Sequence, residues 1–469
     1  MDNTIATKEK FKIKNLIGNK EFYKKLLVIA LPIMLQNGIT NFVGMLDNIM
    51  VGRVGTEQMS GVSIVNQLLF ILMLCIFGAT SGAGVLGAQY YGKGDYEGVK
   101  SVFRIKILLS VGILVIAGFV FLIWGSDLIS LYLHDGSASG DLQATLKYGE
   151  DYLKVMLIGQ IPLAFEFSYS STLRESGETA VPMKASIVAV FVNMILNYIL
   201  IFGKAGAPEL GVVGAAVATV ISRFVQLAIV VTYSHRHLDK NPYFRGVYKS
   251  FKVPGELIGK IAVLALPLLM NETLWATAVA TQTACLSQRG LAVVAGLNIN
   301  STIANVFNIV FIALGDSAAI IVGQMLGAGK VKEGKESAYK IIAFSVTSCF
   351  VLGGLMFLTA PLFPRIYNTT DEVKELAANF IRINACCMPL QGFLHSAYFT
   401  IRAGGKTFIT FLFDAGFMWV VAVPVAFALI NFTTLPILVI YAFSLATDII
   451  KIIIGVIILR SGIWARSLV

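Results

Sequence analysis

The sequence predicts an all-α polytopic membrane protein with twelve transmembrane helices in two six-helix pseudo-symmetric lobes. Three observations carry this expectation. Hydrophobic residues make up 56% of the 469 and charged residues only 14%, with a mean hydropathy of +0.77. Soluble domains are about a quarter charged. The apolar residues also gather into twelve continuous runs of the ~20 residues that cross a bilayer. Finally, text in the first half returns 235 positions later in the second.

The runs are taken in order. The first, roughly 26–50, follows a lysine-rich segment, contains Pro32 and ends in LDNIMVGRVG. The second, 58–83, leads into GAQYYGKGD. The third, 97–125, and fourth, 146–173, flank an acidic connection, and the fourth ends in LRESGET. The fifth, 178–203, holds FVNMILNYIL; the sixth, 211–234, opens on GVVGAAVATVIS. The longest polar connection, SHRHLDKNPYFRGVYKSFKVPGE, then divides six runs from six. The seventh, 256–287, includes Pro267; the eighth, 291–318, leads into GQMLGAGK; the ninth is 334–362. The last three are 373–401, 405–431 and 434–459. Strands of a membrane barrel would instead alternate over about ten residues. The domain plan is a basic N-terminal segment 1–25, a first lobe 26–233, a linker 234–255, a second lobe 256–460 and a tail 461–469.

The net charge of +10 is distributed by side. Lys8 to Lys25, Lys93, Lys100 and Arg104 fall on one face with Arg236 to Lys252, Lys330 to Lys335, Arg402, Lys406 and Arg460. The opposite connections carry Asp127, Asp135, Asp141, Glu150, Asp371 and Glu372. This positive-inside bias places both termini in the cytoplasm of a plasma (inner) membrane protein. It accounts for the charge without a nucleic-acid partner. The five cysteines, Cys75, Cys285, Cys349, Cys386 and Cys387, all fall inside runs and show no disulfide or zinc spacing. No signal-peptide pattern is seen. Phe11, Ile13, Leu16 and Ile17 alternate with lysines, which suits an interfacial helix or a frayed basic tail alike.

The repeat pairs Leu31–Pro32 with Leu266–Pro267, Gln89 with Gln324, and Gly92 and Gly94 with Gly327 and Gly329. LRESGET (173–179) answers IRAGGKT (401–407). An even number of spans per half makes this a parallel repeat, with a cavity expected between lobes that rock against each other. The glycines are expected to let the chain turn at the membrane face. GQMLGAGK lacks the spacing and the Ser or Thr of a phosphate loop. Without a nucleotide motif, uphill transport would draw on an ion gradient.

Ionisable groups inside spans are costly, so each points to function. Asp47 lies near the outer end of the first run. Asn193 and Asn197 share one helix face by their spacing, and Thr219 lies at a similar depth. A carboxylate, two amides and a hydroxyl suit a small hard cation, Na⁺, or a proton on Asp47. These four are the expected cation-coupling residues and, if the ion is Na⁺, its ligands. In the second lobe Glu272 follows Pro267 by five residues. Glu272, Gln282, Gln391 and His395 are the expected substrate-binding residues. Asp414 is expected to pair with Lys406 or Arg402. Apart from Arg223 and Arg382 near predicted boundaries, span interiors are expected to hold almost no cationic residues.

Together, LDNIMVGRVG, GAQYYGKGD, LRESGET with VPM, N-x-x-x-N in the fifth run, GVVGAAVATVISR and IRAGGKT resemble the multidrug and toxic compound extrusion (MATE) family. The resemblance covers nearly the whole chain. It implies a V-shaped two-lobe fold and export of organic, often cationic compounds in exchange for Na⁺ or H⁺. It also implies that Asp47 is the central coupling residue. The archaeal and DinF-type branch has Asn, three residues, then Asp in the fifth helix; here Asn197 stands in the second place. The NorM-type branch has an aspartate eleven residues before the tenth-helix arginine; here Gln391 stands there. The expected function is a secondary antiporter working by alternating access, as a monomer, on small organic substrates and with no cofactor beyond the coupling ion. The alternative is a flippase for lipid-linked precursors. An enzyme is not expected, because His235 and His237 have no acidic or cysteine partner at a telling spacing.

Overall fold

The computed structural model describes residues 16–133 and 141–469. The basic segment proposed as an interfacial helix lies almost wholly outside them. Twelve long helical segments follow one another: α1 (Lys20–Gly52), α2 (Thr56–Lys93), α3 (Tyr96–Ser130), α4 (Leu142–Glu175), α5 (Ala180–Ile201) and α6 (Gly211–Arg236) form the first lobe. The second lobe consists of α7 (Gly255–Ser287), α8 (Leu291–Gly327), α9 (Val331–Thr359), α10 (Asp371–Ala403), α11 (Thr407–Phe432) and α12 (Ile437–Ser461). No strand occurs among the described residues.

Helix starts are set by side chains that take up free N–H groups. Asn19 accepts from Phe22 N at 2.9 Å and Asp95 from Gly98 N at 2.9 Å. Asp141 accepts from Gln143 N and Ala144 N. Ten of the twelve segments are long and apolar enough to cross a membrane. The two that fall short, α4 and α10, are counterparts in the repeat. They are long but polar because they run through the middle of their lobes. Ser168, Ser170 and Thr172 are buried on α4, and Ser396, Thr400 and Arg402 on α10.

Both lobes meet at the face that carries the linker. One apolar cluster joins Leu26, Ile29 and Ile33 of α1 to Leu314 and Ile321 of α8. Another joins Ala83 and Leu86 of α2 to Leu257, Ile261 and Leu264 of α7. Glycines make the approach close. A Cβ on Gly82 would stand 2.3 Å from Ala265 Cα, and one on Gly78 would stand 2.8 Å from Leu269 Cα. Toward the opposite face the clusters stay within one lobe: Val51, Val62, Tyr152 and Val212 in the first, Leu286, Val293, Phe380 and Tyr441 in the second. The lobes are therefore bound at the linker face and separate beyond it.

The glycine expectation divides in two. Gly94 and Gly329 do turn the chain, with φ of 80° and 75°. Gly92 and Gly327 instead lie within helices and give way to the other lobe. The linker is not a free tether: Tyr243, Phe244 and Val247 are buried with Phe103, Tyr169 and Val230 of the first lobe.

Candidate ion and substrate sites

Four predicted residues converge in the first lobe. Asp47, three turns beyond Gln36 on α1, accepts a hydrogen bond from Asn197 Nδ2 at 2.6 Å through Oδ1. Asn193 and Asn197 share one face of α5, as four-residue spacing requires, and Asn197 Nδ2 lies 3.1 Å from Asn193 Oδ1. Asn193 reaches Thr219 Oγ1 of α6 at 3.2 Å. Turning the Asn193 amide end for end puts its nitrogen 3.0 and 3.2 Å from the two Asp47 oxygens and lets its oxygen accept from Thr219. The second orientation fits better, because a carboxylate only accepts. In either orientation three helices bring a carboxylate, two amides and a hydroxyl to one point. No ion pair joins Asp47 among the described residues. Its compensation comes from amide donors alone.

The second lobe is built differently. Asp414 does not pair with Lys406 or Arg402, as expected from their nearness in sequence. Its partner is Lys451 of α12, with Nζ 2.6 Å from Oδ1. In the same stretch α11 widens into π-helical turns at Leu412–Gly416 and Met418–Ala422. Such turns often occur at functional sites. The Ala415 N–H released there is taken by Asn271 Oδ1 at 3.1 Å, while Asn271 Nδ2 donates to Asp414 Oδ2 and to the Tyr398 hydroxyl, each at 3.2 Å. Asn271 thus clasps α7 to α11.

The remaining predicted residues lie around this network. Gln391 Nε2 donates to Asp448 Oδ2 at 2.6 Å, one turn before Lys451 on α12. His395, one turn from Gln391, packs on the Phe311 ring at 4.5 Å between centroids. Glu272 is half-buried and follows Leu269 by one turn on the α7 face that touches α2. That puts it at the upper end of the inter-lobe contact. Gln282, ten residues further along, joins no hydrogen bond of this network.

Several charged groups were not anticipated. Lys106 is fully buried on α3, and its Nζ holds both Glu175 oxygens at 2.6 and 2.7 Å, with Ser171 and Thr172 at 3.0 and 3.1 Å. Glu166 is buried on α4 and accepts from Ser170 and from Gln226 Nε2. Arg174 Nη2 donates to Gln36 Oε1 at 2.7 Å. Arg402 lies 5.7 Å from the Phe77 ring of the other lobe. The expectation that span interiors hold almost no cations beyond Arg223 and Arg382 is therefore wrong. Lys106 and Lys451 are buried inside the lobes. Four-residue or 228-residue offsets could have flagged some of these: Arg174 and Arg402 occupy equal places in LRESGET and IRAGGKT, as do Arg223 and Lys451 in the sixth span of each half.

Twelve long helices in two like lobes, with buried charged groups inside both, are the frame of a polytopic membrane protein. The sequence model of the MatE family matches residues 32–199 and 267–428, once in each lobe, and the chain belongs to that family. It is 28% identical over 464 residues to a probable multidrug resistance protein NorM of Thermotoga maritima, covering 96% of this chain and 94% of that one. It is 24% identical to a probable multidrug resistance protein YoeA of Bacillus subtilis, covering 89% of each. Among solved structures, the fold matches a MATE in the straight conformation with a TM-score of 0.84, covering 96% and 97% of the two chains at 18% identity. An outward-facing multidrug resistance MATE transporter matches with a TM-score of 0.82, covering 96% and 97% at 18% identity.

Proposed function

We propose that the chain is a secondary antiporter of the plasma membrane that exports organic, cationic or amphipathic compounds in exchange for Na⁺ or H⁺. The observation that carries this reading is the Asp47 set: one carboxylate inside a span, ringed by neutral oxygen- and amide-bearing groups and lacking a lysine or arginine partner. A group so placed gains when a cation or proton arrives. The linker face is cytoplasmic by the positive-inside bias, and so are both termini. The lobes then part toward the outside. Glu272, at the upper end of the inter-lobe contact, is the substrate-facing carboxylate, and Gln391 and His395 lie deeper in the same lobe. A monomer suffices, because both lobes of the cycle lie in one chain.

The test is transport by purified protein in liposomes with Na⁺ and proton gradients imposed separately. Efflux of an organic cation driven by one of them is expected. Transport driven by neither gradient, or only with ATP, removes the antiporter reading. In the same liposomes Glu272→Gln is expected to change the range of cations handled while protein yield stays the same. An unchanged range assigns Glu272 to packing.

One observation favours the flippase alternative. Arg174 Nε and Arg402 Nη1 are buried without a hydrogen-bond partner among the described residues, and unpaired guanidinium N–H groups suit a phosphate. Competition of organic-cation efflux by lipid-linked pyrophosphates, against none by inorganic pyrophosphate, would support it.

A further inference from the structure

We propose that Gln89 and Gln324 are positioning residues of the transport cycle: a matched pair of amides that hold the two lobes together at the linker face. The role in transport rests on the antiporter reading; the contact itself is geometric. The two glutamines are equivalent by the repeat, 235 positions apart. Each reaches out of its own lobe. Gln89 of α2 donates through Nε2 to Ala403 O at 2.9 Å. Gln324 of α8 donates through Nε2 to Glu175 O at 2.7 Å. The acceptors are equivalent too: Ala403 and Glu175 are the last residues of α10 and α4, in the matching words IRAGGKT and LRESGET.

Two further pairs complete the symmetry. A Cβ on Gly92 would stand 1.9 Å from Gln324 O, and one on Gly327 would stand 1.9 Å from Gln89 O. Glycine at both places therefore lets each helix backbone lie against the other's glutamine. Gln89 is fully buried, and Leu468 N donates to its Oε1 at 2.7 Å, so the C-terminal tail covers this half of the contact.

The chemistry suits a contact that must open. Carbonyls at the end of a helix have no partner within it. When the lobes part, water can replace each glutamine donor, so opening leaves no buried group unsatisfied. The net value of such a bond is small, which keeps the closed state favoured without fixing it. A contact serving only the stability of one lobe would not cross to the other. The first-lobe half is also wired inward. Glu175 is held through its side chain by Lys106, and its neighbour Arg174 is bonded to Gln36 of α1, the helix that carries Asp47. A shift of α1 on ion binding thus has a direct path to one acceptor carbonyl.

The experiment is hydrogen–deuterium exchange of the full-length purified protein, without substrate, on Gln89→Met, Gln324→Met and the double variant. Methionine keeps the side-chain length and removes the donor. Exchange in peptides 173–179 and 401–407 is expected to rise roughly fivefold for each single variant, the factor set by one hydrogen bond. The double variant is expected to exceed either single one, by a factor that itself measures the coupling of these two neighbouring contacts. Peptides 52–58 and 286–292 at the opposite face are expected to slow, because lobes that part at one face close at the other. A merely local loss of a bond would not protect that distant face. Gly327→Ala, which drives a methyl into Gln89 O, is expected to give the same pattern and serves if the double variant fails to purify. Unchanged exchange at 173–179 and 401–407, or a rise there with no slowing at the opposite face, overturns the proposal. Because no ion gradient or substrate enters the measurement, its outcome is read independently of the liposome test.

Discussion

The two lobes share a helix plan but surround the span carboxylates Asp47 and Asp414 in opposite ways. In the first, the partners of Asp47 among the described residues are neutral: Asn197 and, with its amide turned, Asn193, which reaches Thr219. In the second, Asp414 already holds a cation of the protein's own, Lys451, at 2.6 Å, and Asp448 lies one turn away with Gln391 on it. A carboxylate with neutral ligands is open to an ion from solvent. A carboxylate bonded to a lysine is occupied. The difference teaches that pseudo-symmetry of backbone does not make two equal ion sites. On the antiport reading proposed above, the gradient would be coupled through the first lobe, since the second-lobe carboxylate already holds a lysine.

The comparison is broken most directly at Asp47. Asp47→Asn keeps the shape and removes the charge, so the protein is expected to fold, insert and lose gradient-driven efflux. Full transport with unchanged ion dependence would place coupling outside this set. The second lobe should respond in stability rather than coupling. Lys451→Met leaves Asp414 buried and unpaired, a loss of about 3–5 kcal/mol. Thermal unfolding in detergent is expected to show it, with much of the loss restored in Lys451→Met/Asp414→Asn. If Lys451→Met is as stable as the parent, Asp414 is not dependent on its lysine. The smallest effect is expected from Asn193→Ala, which removes one ligand or donor worth about 1 kcal/mol. Ion-dependence curves of efflux should shift by roughly fivefold in half-saturating concentration; no shift would leave Asn193 outside the ion site.

Much of this arrangement was legible before the structure. The spans, the repeat and the convergence of Asp47, Asn193, Asn197 and Thr219 follow from apolar length, equal offsets and helical spacing. Each is local or periodic, and each of these four groups lies at a similar depth on neighbouring helices. The second lobe was not legible in the same way. The Asp414 partner was expected within twelve residues and stands 37 away on the next helix, a facing that only packing sets. No residue pattern in LFDAGFMWVVA announces the π turns of α11. Lys106 and Glu175, 69 positions apart, belong to helices whose facing sides are fixed only by packing. Hydropathy even leaves α4 and α10 out of the apolar spans, although both bury polar side chains within their lobes.

The sequence by itself determined the number of helices, the division into two lobes and the convergence of Asp47, Asn193, Asn197 and Thr219 in the first. These depend on how many apolar residues run together and on a period of 3.6, both properties of contiguous chain. The tertiary structure alone decided which buried charges are already paired and where the lobes hold one another. Lys451 on Asp414, Lys106 on Glu175, and the exchange of Gln89 and Gln324 between lobes are contacts between distant segments. Their energies are set by distance and burial, which no single stretch of residues carries.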